Sequence, residues 1–207
     1  MTDEAALRPA DILPASYEVG MLAGKVSPGN SVAIVGAGPI GLAAVTTAKL
    51  LSPSLVIAID RASARCDAAK AFGADIALEP GGGRVEQVMA ATDGLGVDVA
   101  IEAVGVPEAF ELCTKLVRPR GHVAKVGVHG KPAVLHPDDL WIKDVTITAG
   151  LVDTSSTSTL LRMTAAGRFD TGAFFTHRFG LEEMREAYDV FSHAGETGAL
   201  KVALFRR

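Results

Sequence analysis

Ser31-Val32-Ala33-Ile34-Val35-Gly36-Ala37-Gly38-Pro39-Ile40-Gly41 is the stretch on which the fold turns. It opens with an uninterrupted apolar run that stops at a glycine, the pattern of a short strand buried on both faces. Pro39 suits the first turn of a helix, and helical spacing continues to residue 51. G-x-G-x-x-G is a weak pattern alone, but here it follows a strand and opens a helix. Gly36 permits the tight turn, Gly38 lets a backbone approach a diphosphate, and Gly41 lets helix and strand pack closely. The helix start at Pro39-Ile40-Gly41, with its free amides and the helix dipole, suits an anion.

The next element outward is a second apolar run, 55–59, closed by Asp60. A carboxylate at that strand end can accept hydrogen bonds from an adenosine ribose and repels a 2′-phosphate, so Asp60 favours NAD over NADP. Arg61 beside it works the other way. Alternation then continues: helix 62–72, strand 75–78, the glycine-rich loop 80–83, helix 85–91, strand 97–101, helix 107–117, strand 121–128, a helical turn at 140–143 and strand 145–149. Six strands alternating with helices predict an α/β fold, a doubly wound parallel sheet of Rossmann type. Residues 1–10 read as a tail, 11–25 as a helix carrying Leu13, Tyr17 and Met21 at a spacing of four with Ile12, Val19 and Leu22 broadening its apolar face. Residues 153–207 add helix 156–166, strand 174–179, helix 181–191 and strand 200–205. The organisation is therefore 1–25 tail and helix, 26–152 dinucleotide-binding domain, 153–207 C-terminal helices and returning strand.

Composition agrees: 48% hydrophobic and 21% charged is globular. A net charge of −4 offers no basic field for nucleic acid. No run is long enough to span a membrane, and the acidic start lacks the basic region of a signal peptide. Cys66 and Cys113 form no CxxC unit, which suits a reduced, cytoplasmic chain. The five histidines, His122, His129, His136, His177 and His193, show no metal-site spacing and read as surface or packed residues.

With these residues in place, the chain from residue 26 to Gly41 resembles the start of the cofactor domain in zinc-type medium-chain alcohol dehydrogenases. Glu102-Ala103-Val104-Gly105, the run 121–128, Thr176-His177-Arg178-Phe179 and Lys201-Val202-Ala203-Leu204 strengthen that resemblance, which covers nearly everything from residue 11 onward. It implies an NAD-dependent oxidoreductase that moves hydride between a small alcohol or aldehyde and nicotinamide, in a homo-oligomer. It further implies that Arg65 packs near the adenosine, that Val104 and Gly105 line the groove, that Val126, Gly127 and Val128 meet the nicotinamide end, and that Lys201 reaches the pyrophosphate. The family's catalytic domain, of about 150 residues, brings a cysteine ligand and a Gly-His-Glu motif. These residues contain no Gly-His-Glu. Asp11, 25 residues before Gly36, falls where the family places its third zinc ligand. One carboxylate cannot hold zinc, so Asp11 reads as a remnant ligand or a helix N-cap, and zinc belongs to full-length relatives. The alternative function is a catalytically incomplete NAD-binding module.

Overall fold

In the computed structural model, residue 7 and residues 11–79, 82–168 and 172–206 are described. Apart from Leu7, the expected N-terminal tail lies outside them, as do Pro80 and Gly81 of the glycine-rich loop.

A short helix α1 (Ile12–Pro14) runs into a π-helix (Ala15–Leu22). Then follow β1 (Ser31–Val35), α2 (Pro39–Lys49), β2 (Leu55–Ile59), α3 (Ser63–Ala71), β3 (Ile76–Leu78), α4 (Arg84–Ala91), β4 (Val97–Glu102), α5 (Pro107–Leu116), β5 (Val117–Lys125), α6 (Pro137–Leu140) and β6 (Thr146–Ala149). The C-terminal part holds α7 (Thr157–Ala165), a 3-10 turn (Gly172–Phe174), β7 (Phe175–Gly180), a second 3-10 turn (Leu181–Glu183), α8 (Met184–Ser192), α9 (Ala194–Thr197) and β8 (Lys201–Phe205).

The six strands β1–β6 form one parallel sheet in the order β3-β2-β1-β4-β5-β6, the doubly wound arrangement. β7 and β8 pair in parallel as a separate two-stranded sheet. Alternation within β1 shows why its run is continuously apolar. Val32 and Ile34 enter the core on one sheet face with Leu13, Met21, Leu42 and Leu160, whereas Ala33 and Val35 enter the other with Val88, Cys113 and Leu116. Each fully buried Val or Ile is worth about 1.5–3 kcal/mol relative to exposure. Phe174 closes the first face, its ring edge-on to Phe72 at 4.6 Å.

Three expectations need correction. The predicted helix over 11–25 is mostly π-wound: Ala23 N donates to Glu18 O at 2.9 Å and Val26 N to Met21 O at 2.9 Å. That wider winding brings Ser16 and Gly20 to the buried side and leaves Leu22 51% exposed instead of on the apolar face. The fifth strand starts earlier and stops at Lys125, because Val126 N and Gly127 N both turn to the carbonyl of Glu102, at 2.9 and 3.0 Å. The helical turn expected at 140–143 forms earlier, with Pro137 at its first position.

Candidate coenzyme site

The chain runs β1–β2–β3 to one side and then crosses back to β4 on the other flank of β1. Beyond the carboxyl ends of β1 and β4 the connecting loops diverge, and a crevice opens there. It is a cavity of about 550 Å3, whose lining includes Gly36, Gly38, Pro39, Asp60, Arg61, Arg65, Arg84, Ala103 and Val104.

The turn after β1 is shaped by close approach. Gly36 has φ +99°, and a Cβ there would meet the Val104 side chain at 2.5 Å. A Cβ on Gly41 would collide with the Gly36 carbonyl, whereas one on Gly38 would meet nothing within 4 Å. Gly38 is thus the floor of an open cradle. The first helical hydrogen bond is Leu42 N to Gly38 O at 2.8 Å. The amides of Ile40 and Gly41 precede it in the first turn and point out of the helix, and Pro39 has none to offer. From beneath, the buried Ser16 hydroxyl donates to Ile40 O at 2.8 Å and ties the π-helix to this turn.

Asp60 is an internal anchor as well as a wall. Its side chain is only 8% exposed. Oδ2 accepts Ala37 N at 2.7 Å and Oδ1 accepts Ala62 N at 2.9 Å, so the carboxylate joins the glycine-rich turn to the loop after β2. Arg65 Nη1 stands 3.9 Å from Oδ2. Each oxygen keeps one further lone pair for a partner in the cavity.

The opposite lip is organised by Glu102, fully buried at the end of β4. Its Oε1 accepts Val104 N at 2.8 Å and Gly105 N at 2.7 Å, and Oε2 lies 3.1 Å from His129 Nε2. Gly127 approaches so closely that a Cβ would fall 2.5 Å from the Glu102 carboxylate. One buried carboxylate therefore fixes both the loop after β4 and the loop after β5.

The structure brings Gly36, Gly38, Pro39, Asp60, Arg61, Arg65 and Val104 around one cavity, with Ile40 and Gly41 in its helix turn and Gly105 and Gly127 on the far lip. Val126 leaves the sheet beside them, and Val128 is 89% exposed. Lys201 is not in this lining: its Nζ lies 3.6 Å from Asp11 Oδ2. Asp11 occupies the N-cap position of α1 without a side-chain capping bond, so the capping role is not what its carboxylate does. Sequence reasoning missed three residues. Arg84 lines the cavity and has a buried Nε without a hydrogen-bond partner among the described residues. Glu102 was quoted without a role, and His129 was passed over as surface or packed. Acid at the end of a fully buried strand, with glycines in both neighbouring loops, is the signal that marks Glu102.

Among the described residues, no three His, Cys, Asp or Glu side chains gather in a way that could hold a metal ion. The donors present do not fit a zinc centre, which takes three or four protein ligands. Both thiols are buried: burial raises Cys66 above its ordinary pKa and pushes Cys113 well above it, away from the thiolate a metal requires.

This architecture and crevice define a Rossmann-type α/β domain. Residues 39–166 match the profile of the zinc-binding dehydrogenase family. The chain belongs to that family. An alcohol dehydrogenase of Cupriavidus necator is 32% identical over 99% of this chain and 57% of its own length. The solved apo form of zinc dependent alcohol dehydrogenase 2 from Streptococcus pneumonia is 42% identical, with a TM-score of 0.92 over 98% of this chain and 59% of that one. A zinc-binding dehydrogenase from Sinorhizobium meliloti, solved bound to NADP, is 28% identical with a TM-score of 0.82, covering 93% of this chain and 57% of that one. The chain thus spans somewhat more than half the length of these relatives. No described helix is long and apolar enough to cross a membrane.

Proposed function

We propose that this chain is the coenzyme-binding half of an NAD(H)-dependent alcohol dehydrogenase, acting in hydride transfer between a small alcohol or aldehyde and nicotinamide. The observation that carries this reading is the open cradle at Gly38, at a helix start, beside a carboxylate and inside a 550 Å3 cavity. The amides of Gly38, Ile40 and Gly41 bind the diphosphate. Asp60 accepts the adenosine ribose hydroxyls, and Arg61, Arg65 and Arg84 stand at the adenosine rim. Val104, Gly105, Val126, Gly127 and Val128 form the nicotinamide end, held in place by Glu102. Lys201 reaches the pyrophosphate by exchanging its pairing with Asp11 for the coenzyme. When bound, the coenzyme supplies the hydride chemistry.

NAD is preferred because a 2′-phosphate would sit against the Asp60 carboxylate, which already anchors Ala37 N and Ala62 N. The described residues do not assemble the ligands of a zinc centre. By itself the chain is then a catalytically incomplete NAD-binding module: it binds NADH and oxidises no alcohol, even with zinc added. Two uncovered surfaces suit the rest of a dehydrogenase. On α8, Met184, Tyr188 and Phe191 are exposed and apolar, as a face for a catalytic domain would be. β6 is the sheet's edge and is exposed at three of its four residues, which suits pairing with a second copy.

The direct test is titration of NADH into the chain, following coenzyme fluorescence. A saturable enhancement, with weaker NADPH binding, supports the reading. No saturable response to either coenzyme overturns it.

A further inference from the structure

At the amino ends of the strands, the side of the sheet opposite the coenzyme crevice, lies a second and much smaller cavity. It measures about 170 Å3 and is lined by Lys25, Asn30, Asp98, Arg118, Arg120 and His122 among others. Three cations face one carboxylate. That carboxylate is already committed: Asp98 Oδ2 accepts the Ser31 amide at 2.7 Å and hydroxyl at 2.8 Å, and Oδ1 accepts Arg118 Nε at 2.6 Å. Asn30 has likewise spent its carbonyl oxygen, which accepts Ser27 N at 2.8 Å.

What remains is almost all donors. Lys25 Nζ and the amide nitrogen of Asn30 have no hydrogen-bond partner among the described residues. Arg120 meets Asp144 only at 3.9 Å, with both side chains more than 80% exposed. His122 Nδ1 is buried and has no partner. Acceptors for these donors have to come from outside the chain. The backbone adds an independent observation: Lys25 and Arg120 both hold left-handed conformations, at φ +56° and +61°. Side chains occupy that region at a cost glycine does not incur. Two of the six non-glycine residues with positive φ are thus basic residues of this one cavity, and a third, Asp144, is the partner of Arg120.

We infer that this cavity is a binding site for a compact oxyanion of the phosphate type, held by Lys25, Arg118, Arg120, Asn30 and His122. A tetrahedral anion offers several acceptor oxygens to converging donors and compensates the surplus positive charge. The cavity is under a third of the coenzyme crevice in volume, so a dinucleotide does not fit. The shared chemistry is a phosphate group, free or as the monoester of a small metabolite. The site stands apart from the coenzyme reading and does not depend on it.

His122 provides the probe. Burial, with Lys25 and Arg118 nearby, holds its imidazole below the ordinary histidine pKa. The other charges facing it are Asp98 on β4 and Arg120 on β5, with Asp144 behind Arg120. A bound anion offsets the repulsion from Lys25 and Arg118 and attracts a proton to the ring, so it raises the His122 pKa and shifts the ring-proton NMR signals. The experiment titrates inorganic phosphate, and separately glycerol 3-phosphate, into the chain at constant ionic strength against a chloride control. The variants are Arg120→Gly and Lys25→Gly, which remove one cation each while relieving the left-handed backbone.

The expected result is a saturable shift of His122 with phosphate, a midpoint about tenfold weaker in each variant, and thermal stability kept or improved. NADH binding by the variants stays at the parent value. A glycerol 3-phosphate midpoint close to that of phosphate assigns the site to monoesters, and a weaker one assigns it to the free ion. An equal His122 shift with chloride, or glycine variants that respond as the parent does, overturns the inference.

Discussion

Asp60 carries two tasks, and substituting it separates them. Its oxygens hold Ala37 N and Ala62 N, and their remaining lone pairs face the cavity. Asp60→Ala is expected to weaken NADH binding about tenfold, the size of a lost charge-assisted hydrogen bond. NADPH binding should fall less, because the variant also removes the repulsion of the 2′-phosphate. Equal losses for both coenzymes, measured by fluorescence titration, contradict the ribose assignment. Glu102 is the complementary case, a carboxylate with no exposed surface that faces its own loops. Glu102→Ala leaves the amides of Val104 and Gly105 without an acceptor and should cost about 2–4 kcal/mol in urea unfolding. Glu102→Gln keeps an acceptor at Oε1 and should cost less than half as much. Comparable losses in the two variants would mean that the charge of the carboxylate, which faces His129, and not amide satisfaction sets the role of this residue.

The elements were legible wherever local pattern alone decides them. β1 and β2 are apolar on both faces and lie between helices, so their continuous runs read directly as strands, with the expected bounds. The π-helix was not legible, because a spacing of four is compatible with α-winding and the choice is made by distant contacts. Glu18 is such a contact. Its Oε1 accepts Ser156 N at 2.8 Å and Ser156 Oγ at 2.6 Å, and its Oε2 accepts Asp153 N at 3.1 Å and Thr154 N at 3.2 Å. A residue of the N-terminal helix thereby caps α7 from across the chain, a partnership separated by 138 residues that no local reading finds. Placed at the amino end of a helix, the carboxylate also faces the favourable end of its dipole. Glu18→Ala is expected to fray α7: hydrogen exchange at 153–165 should accelerate at least tenfold, while amides in β1 and β4 keep their protection. Uniform acceleration through the sheet would show instead that Glu18 supports the global fold.

At the scale of the whole molecule, the same limit on reading applies to charge. Spacing placed Asp60 at a strand end, but nothing in it foretold that Asp98 gathers Ser31 and Arg118 at the amino ends of β1, β4 and β5. Nor did it foretell that Glu102 holds two loops at the other end. Asp98 is half-buried and Glu102 fully buried, and each has a partner well outside its own stretch of sequence. The Asp98 network has a consequence for acid stability. Burial works to raise the Asp98 pKa, but hydrogen bonds from Ser31 and Arg118 and the guanidinium charge outweigh it, leaving the carboxyl below its ordinary value. A carboxyl depressed on folding stabilises the native state above its unfolded pKa, and that stabilisation is lost as pH falls through the folded value. His122 adds a separate step: burial, Lys25 and Arg118 hold it below 6.5, so folding favours the neutral ring. Its share of stability is complete above about pH 6.5 and declines as pH drops from there toward the folded pKa. The melting temperature should therefore be level above about pH 7, fall modestly as pH drops below about 6.5, and fall again below about pH 4. His122→Gln should flatten the first decline and leave the second, and Asp98→Asn should lower stability at pH 7 and flatten the second. If the His122 variant keeps the decline that begins near pH 6.5, the proton enters elsewhere and the imidazole does not govern that step.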